Sequence, residues 1–182
     1  QVHAIKAINE SGKYRVHLFS GSEVDILSGG RLDFEDADLE PLDYVVASVH
    51  SGLTQDEETM TTRIIKALEH PKVTMLGHLS GRLLLRREAS TMNIQKIIDA
   101  ALANGKIIEL NANPMRLDMD WRHWRRAAEK GLLCCINPDA HALHHYDYQE
   151  AGVLAARKGW LTAKEVFNTR TLTEVKDYLF SS

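Results

Sequence analysis

The sequence predicts an α/β domain of parallel β/α units arranged as a barrel, and three observations carry that expectation. Short apolar runs at residues 44–48, 73–76, 106–110 and 132–136 alternate with amphipathic stretches of helical period. Connections long enough to hold a helix imply parallel strands joined by right-handed crossovers. Side chains able to hold a metal recur at the ends of those strands: Glu23, His50, His78, the 109–113 stretch, and the pair Asp139/His141. A parallel barrel gathers its functional groups at that end.

In chain order, Val2, Ile5 and Ile8 recur at helical spacing until Ser11-Gly12 stops them. Residues 14–19 alternate like a strand that runs on through Gly21 to Glu23, and 28–43 reads as a loop or short helical turn. Thr54 and Glu57 have capping-box spacing ahead of the Met60, Ile64, Ile65, Leu68 stripe, which Pro71 ends. A second stripe (Ile94, Ile97, Ile98, Ala101, Leu102) closes at Asn104-Gly105. Asp120 caps a helix that Gly131 stops, and helical stretches at 148–158, from Thr162, and at 171–179 complete the chain. Trp121 and Trp124, three apart, are expected to pack inward with the neighbouring arginines on the wet face.

One domain spanning 1–182 is expected, since 182 residues with 44% hydrophobic content suffice for one real core. A net charge of −3 carries no general polyanion-binding signal, so any nucleic-acid contact must be local. No apolar run reaches membrane-spanning length, and no membrane association is expected. Cys134 and Cys135 are adjacent on a strand, a poor disulfide without C-x-x-C spacing, which points to a reducing cytoplasm.

The strand-end residues are the functional candidates. Imidazole and carboxylate are ligands for zinc, manganese or iron, and neither suits a dry core. A solvated histidine should fall anywhere, as His3, His17, His70, His123, His144 and His145 do. Arg82, Arg86 and Arg87 follow His78 on the same face, where guanidinium geometry suits bidentate phosphate contact. Arg82, nearest to His78, is the favoured one. Asn111, Asn113 and Arg116 lie over that face as well and are candidates to orient substrate, although Asn-Pro is also a turn starter.

Five ordered motifs carry a family resemblance: GSEVDIL at 21–27, LDYVVASVHSG at 42–52, GHLSGRLLLRRE at 77–88, ELNANPMRLD at 109–118 and INPDAHA at 136–142. Together they resemble the PHP (polymerase and histidinol phosphatase) domain, in the version found at the C-terminus of bacterial family-X DNA polymerases. The resemblance implies a distorted (β/α)7 barrel holding up to three divalent ions, manganese or zinc, that hydrolyses phosphoesters. It assigns Glu23 to bridge two metals, His50 and His78 to complete the second, Asp139 to serve the first and His141 the third. The family's opening H-x-H motif has no match, and only about five strand-plus-helix units are visible. An incomplete barrel lacking N-terminal strands is therefore expected, with open strand edges that invite oligomerisation or a domain swap.

The implied role is 3′→5′ exonuclease or DNA 3′-end processing in repair, beside a polymerase domain in the parent chain. Two other readings stand: a free-standing phosphatase acting on small phosphate esters, and a non-catalytic structural remnant.

Overall fold

The structure, a computed structural model, describes residues 1–180. Its framework is one sheet of five parallel strands in sequential order: β1 (Gly21–Asp25), β2 (Tyr44–Ser48), β3 (Met75–Leu76), β4 (Ile107–Asn111) and β5 (Cys134–Asn137). Seven α-helices are present among the described residues. They are α1 (Val2–Glu10), α2 (Asp36–Leu39), α3 (Glu57–Leu68), α4 (Ile94–Ala103), α5 (Trp121–Glu129), α6 (Tyr148–Lys158) and α7 (Leu172–Phe180). Sequential order in a parallel sheet is the winding of a barrel rather than of a doubly wound sheet. Five strands in this order are consistent with part of a barrel.

Each crossover helix has a local reason to start and stop. Asp56 caps α3 by accepting the Thr59 amide at 2.9 Å, Asn93 caps α4 through Lys96, and Asp120 caps α5 through Arg122. The α3 cap corrects the expected Thr54–Glu57 box: an aspartate directly before the first turn supplies the stronger acceptor. After α4, Gly105 takes the left-handed conformation that lets the chain turn straight into β4.

The apolar stripes of α3 and α4 pack on one face of the sheet, burying Met60, Ile64, Leu68, Ile97 and Ile98 against Val45, Ala47, Ile108 and Leu110. Trp124 on α5 joins this core and is fully buried. The other face carries a smaller cluster, Met75, Ile107, Cys135 and Phe167, with Val175 and Tyr178 of α7 laid against it. Both cysteines are buried and unbonded. Strand β4 is buried along its whole length, so its alternate residues serve both faces: Ile108 and Leu110 outward, Ile107, Glu109 and Asn111 inward.

Three expectations are corrected. Residues 14–19 form no strand, because nothing pairs with them before Gly21 meets Tyr44. From Thr162 the chain forms a turn in which Glu165 accepts the Thr162 amide, then a 3-10 turn at Phe167–Thr169, not an α-helix. Trp121 is 38% exposed rather than packed inward, since a residue in the first turn of α5 sits at the helix rim. The strand edges are covered over part of their length. On β1, Asp33 donates to Asp25 and Leu32 bridges Ile26, while on β5 the Cys134 amide donates to Glu165. Tyr14, Val16 and Leu18 stay exposed beside the β1 end. No described helix is long and apolar enough to cross a membrane.

Candidate metal centre

The parallel register brings three strand ends side by side, with Asp25 opposite Ser48 and Ala47 opposite Leu76. Glu23 projects from β1, His50 lies two residues beyond β2, and His78 two residues beyond β3. Their ligand atoms all lie within 4.8 Å of one another. The two Nε2 atoms, of His78 and His50, approach the same Glu23 oxygen at 3.0 and 3.4 Å. The two rings meet edge-on, their centroids 5.0 Å apart. Ligands 2.0–2.2 Å from one ion in tetrahedral array stand about 3.4 Å apart. The donor set and its spacing fit a divalent cation.

Polar groups behind these three hold them in place. The Asp25 carboxylate contacts His50 Nδ1, which leaves Nε2 aimed at Glu23. This is the carboxylate–imidazole arrangement that fixes a metal-ligating tautomer. His78, only 4% exposed, donates its backbone N–H to Glu109 Oε2 at 2.7 Å. Glu109 also accepts from Asn137 at 2.9 Å and Asn111 at 3.3 Å, so three donors converge on one buried carboxylate. His78 Nδ1 is buried without a partner among the described residues.

The electrostatics follow from this packing. The hydrogen bond from His78 holds the Glu23 carboxyl down at about 2 against the opposing pull of burial, and the charge of both imidazoles helps. Burial works against a charge on His78, yet the bond to Glu23 and the nearby carboxylates carry its pKa upward on balance. Desolvation pushes the Glu109 carboxyl up, with its three donors pulling back.

The Asp139/His141 pair lies apart. Asp139, in the left-handed region just past β5, accepts from Asn111 Nδ2 at 3.2 Å and lies 3.7 Å from Arg116 Nε. The His141 ring is 76% exposed and its Nδ1 lies 2.8 Å from the Asp139 carbonyl. Neither belongs to the convergent group, and among the described residues no other trio of possible ligands comes together.

Of the candidate substrate contacts, Arg82 is turned into the fold. Its guanidinium donates to the carbonyls of Arg116 and Leu117 and to Asp120 at 2.6 Å, which braces the 112–120 loop. Arg116 turns Nε toward Asp139 at 3.7 Å, and its buried Nη1 has no partner among the described residues. Asn111 Oδ1 accepts the Asn113 amide while its Nδ2 spans Glu109 and Asp139, and Asn113 Oδ1 accepts the Met115 amide.

Asp25 and Asn137 gained no role from sequence, and Glu109 gained one only as part of the metal-capable 109–113 stretch. The signal for Asp25 was its two-residue spacing from Glu23, which puts both on one face of β1. For Glu109 it was a lone carboxylate in an otherwise apolar strand.

No family model matches the chain. It is 39% identical over 180 residues to the DNA polymerase/3′-5′ exonuclease PolX of Bacillus subtilis, a match that covers 98% of this chain and 31% of that protein. It is 28% identical over 174 residues to a probable phosphatase of Thermoanaerobacter sp. strain X514, covering 90% of this chain and 68% of that one. A probable phosphatase of Acetivibrio thermocellus is 33% identical over 54% of this chain. The chain thus spans about a third of the polymerase/exonuclease and about two thirds of the Thermoanaerobacter phosphatase.

Proposed function

We propose that this chain is the larger part of a PHP-type, metal-dependent phosphoesterase domain that hydrolyses phosphodiesters at DNA 3′ ends. The observation that supports it most is the meeting of Glu23, His50 and His78 at three adjacent strand ends. The likeness to a polymerase/3′-5′ exonuclease over nearly the whole chain favours a DNA substrate and a polymerase domain in the parent protein. In the family's distorted (β/α)7 barrel the five strands seen here would be the later ones.

Glu23, His50 and His78 would hold a manganese or zinc ion, with Asp139 and His141 serving further ions in the complete domain. A divalent ion there supplies positive charge against the phosphoryl oxygens and brings a bound water's pKa toward neutrality. The protein's own groups orient and restrain. Asp25 keeps the His50 proton on Nδ1, and Glu109 fixes the His78 backbone. The Arg116 guanidinium, whose Nε lies 3.7 Å from Asp139, would donate to a phosphate oxygen there, and a charge-assisted contact of this kind is among the stronger hydrogen bonds. Asn111 ties Asp139 to the triad through Glu109.

The phosphatase relatives support a second reading, hydrolysis of small phosphate monoesters. One experiment separates the two: Mn2+-dependent release of nucleotides from a 3′-ended single-stranded oligonucleotide against release of phosphate from histidinol phosphate. Preference for the oligonucleotide, lost in His78→Ala, is the expected outcome. Turnover that survives both chelation and His78→Ala would overturn the metal reading altogether.

A further inference from the structure

On the outer flank of the 112–120 loop lies a cavity of about 440 Å3, walled by Leu84, Leu117, Trp121, Leu154, Lys158 and the Arg82 stem. Its lining is mostly apolar, and its fringe is cationic. Lys158 Nζ sits 4.6 Å from the Trp121 ring centroid, and the Arg125 guanidinium lies 5.5 Å from that of Trp160, which is 71% exposed. Between residues 121 and 130 the sequence carries Arg122, Arg125, Arg126 and Lys130 against Glu129 alone, although in the structure Arg122 pairs with Asp120, Arg125 with Glu129 and Lys130 with Asp99. The acid in the wall, Asp120, is held in its charged form between Arg82 and Arg122, at 2.6 and 2.9 Å, so it presents no free negative charge.

We infer that this cavity is a subsite for an unpaired base of single-stranded nucleic acid, with Trp121 as the stacking platform and Lys158, the cation over that ring, released to face the backbone when a base takes its place. Every base has a π-face, so an aromatic flanked by cations takes single strands without reading sequence. Location joins the subsite to the Asp139 corner of the site. Leu117 lines the cavity while its neighbour Arg116 reaches Asp139, and Arg82 binds the carbonyls of both. A strand whose terminal phosphate lies at Arg116 passes over this rim. The inference deepens the phosphodiesterase reading and rests on it for the identity of the ligand. It accounts for a partly exposed Trp and the lysine over its ring, which the metal chemistry leaves unused.

The test measures binding without catalysis. Fluorescence anisotropy with labelled (dT)12, in chelator and at low salt, is compared with an abasic 12-mer of the same charge for the native chain, Trp121→Ala and Leu154→Glu. Leu154 is 58% exposed, so that second variant places a carboxylate in the cavity with little risk to the core. The native chain is expected to bind (dT)12 about tenfold tighter than the abasic strand, a ratio that both variants bring close to one. Equal affinity for the two strands in the native chain, or a preference untouched by either folded variant, would overturn the subsite. Hydrolysis of the same (dT)12 in Mn2+ is read separately. Turnover without base preference sinks the subsite alone, whereas base preference without turnover supports the subsite and sinks the phosphodiesterase.

Discussion

Two corners of one rim behave differently. Where β1, β2 and β3 end, three ligand atoms already stand at metal-sharing distances, and the two imidazoles are backed by buried or half-buried carboxylates. Where β5 ends, Asp139 is held by Asn111 and Arg116 but His141 swings into solvent. His50, His78 and Asp139 each follow a strand by two residues, so distance from the sheet does not set Asp139 apart, whereas His141 stands four residues beyond β5. The difference lies in what stands behind each side chain. At the first corner, neighbouring strands present Asp25 and Glu109 to fix two ligands. At the second, the chain leaves β5 through a left-handed residue into a 3-10 turn, Leu143–Asp147, whose histidines are mostly exposed. Preorganisation here comes from facing strands, and a loop without them supplies donors but no fixed site.

The largest effect should come from His78. His78→Ala is expected to weaken Mn2+ or Zn2+ binding by more than about 100-fold, beyond the 10–100-fold typical of removing an outer partner. Titration calorimetry reads it, with circular dichroism to show that the fold survives. His141→Ala should change the affinity of the tightest ion by less than about threefold. Equal losses at the two corners would erase the contrast drawn above.

Asp25→Asn tests the support rather than the ligand. An amide of the same shape can still hydrogen-bond His50 but no longer favours one tautomer with its charge. A loss of about 10–100-fold in metal affinity is expected, with unfolding temperature nearly unchanged in chelator. If Asp25→Asn binds metal like the native chain, then β2 and the loop that follows it alone orient His50.

How much of this was legible beforehand depended on what each residue's neighbours in sequence could announce. His50 and His78 directly follow short apolar runs, and Glu23 lies in a strand flanked by glycine, so strand-end register exposed all three. The five strands were legible for the same reason. Asp25 carries no local signal of its role, because its partner His50 is 25 residues away. Glu109 was noticed as metal-capable, but its part in holding His78 depends on a 31-residue separation that no local pattern encodes. The alternation at 14–19 misled because period alone does not supply a pairing partner. The arginine nearest His78 in sequence turned out to grip backbone carbonyls across the 112–120 loop, a contact that proximity along the chain does not reveal.

Arg116 sharpens the contrast from the substrate side. Arg116→Lys keeps the charge beside Asp139 and removes the planar fork, so metal content should stay the same while KM for a phosphodiester rises about fivefold to tenfold. A change in kcat with KM untouched would instead place Arg116 in a contact made only during the reaction.

The smallest expected effect is on stability, and it isolates the Glu23–His78 pair in the metal-free chain. Glu23 is depressed from 4.5 to about 2, so its stabilising contribution is present above pH 4.5 and is lost as pH falls toward 2. His78 is raised above 6.5, so its contribution is present below pH 6.5 and is lost as pH rises through the folded value. The pair therefore stabilises most between about pH 4.5 and 6.5. Because Glu23 is 41% exposed, solvent screening keeps the effect small. Thermal unfolding in chelator should show the native chain above Glu23→Gln by the widest margin inside that window, with the two converging on either side. Adding Mn2+ should move the widest margin upward in pH, because protons and the ion compete for His78. A margin that stays flat from pH 3 to pH 9 would mean that the two side chains do not share a proton, and that the first corner owes its order to packing rather than to charge.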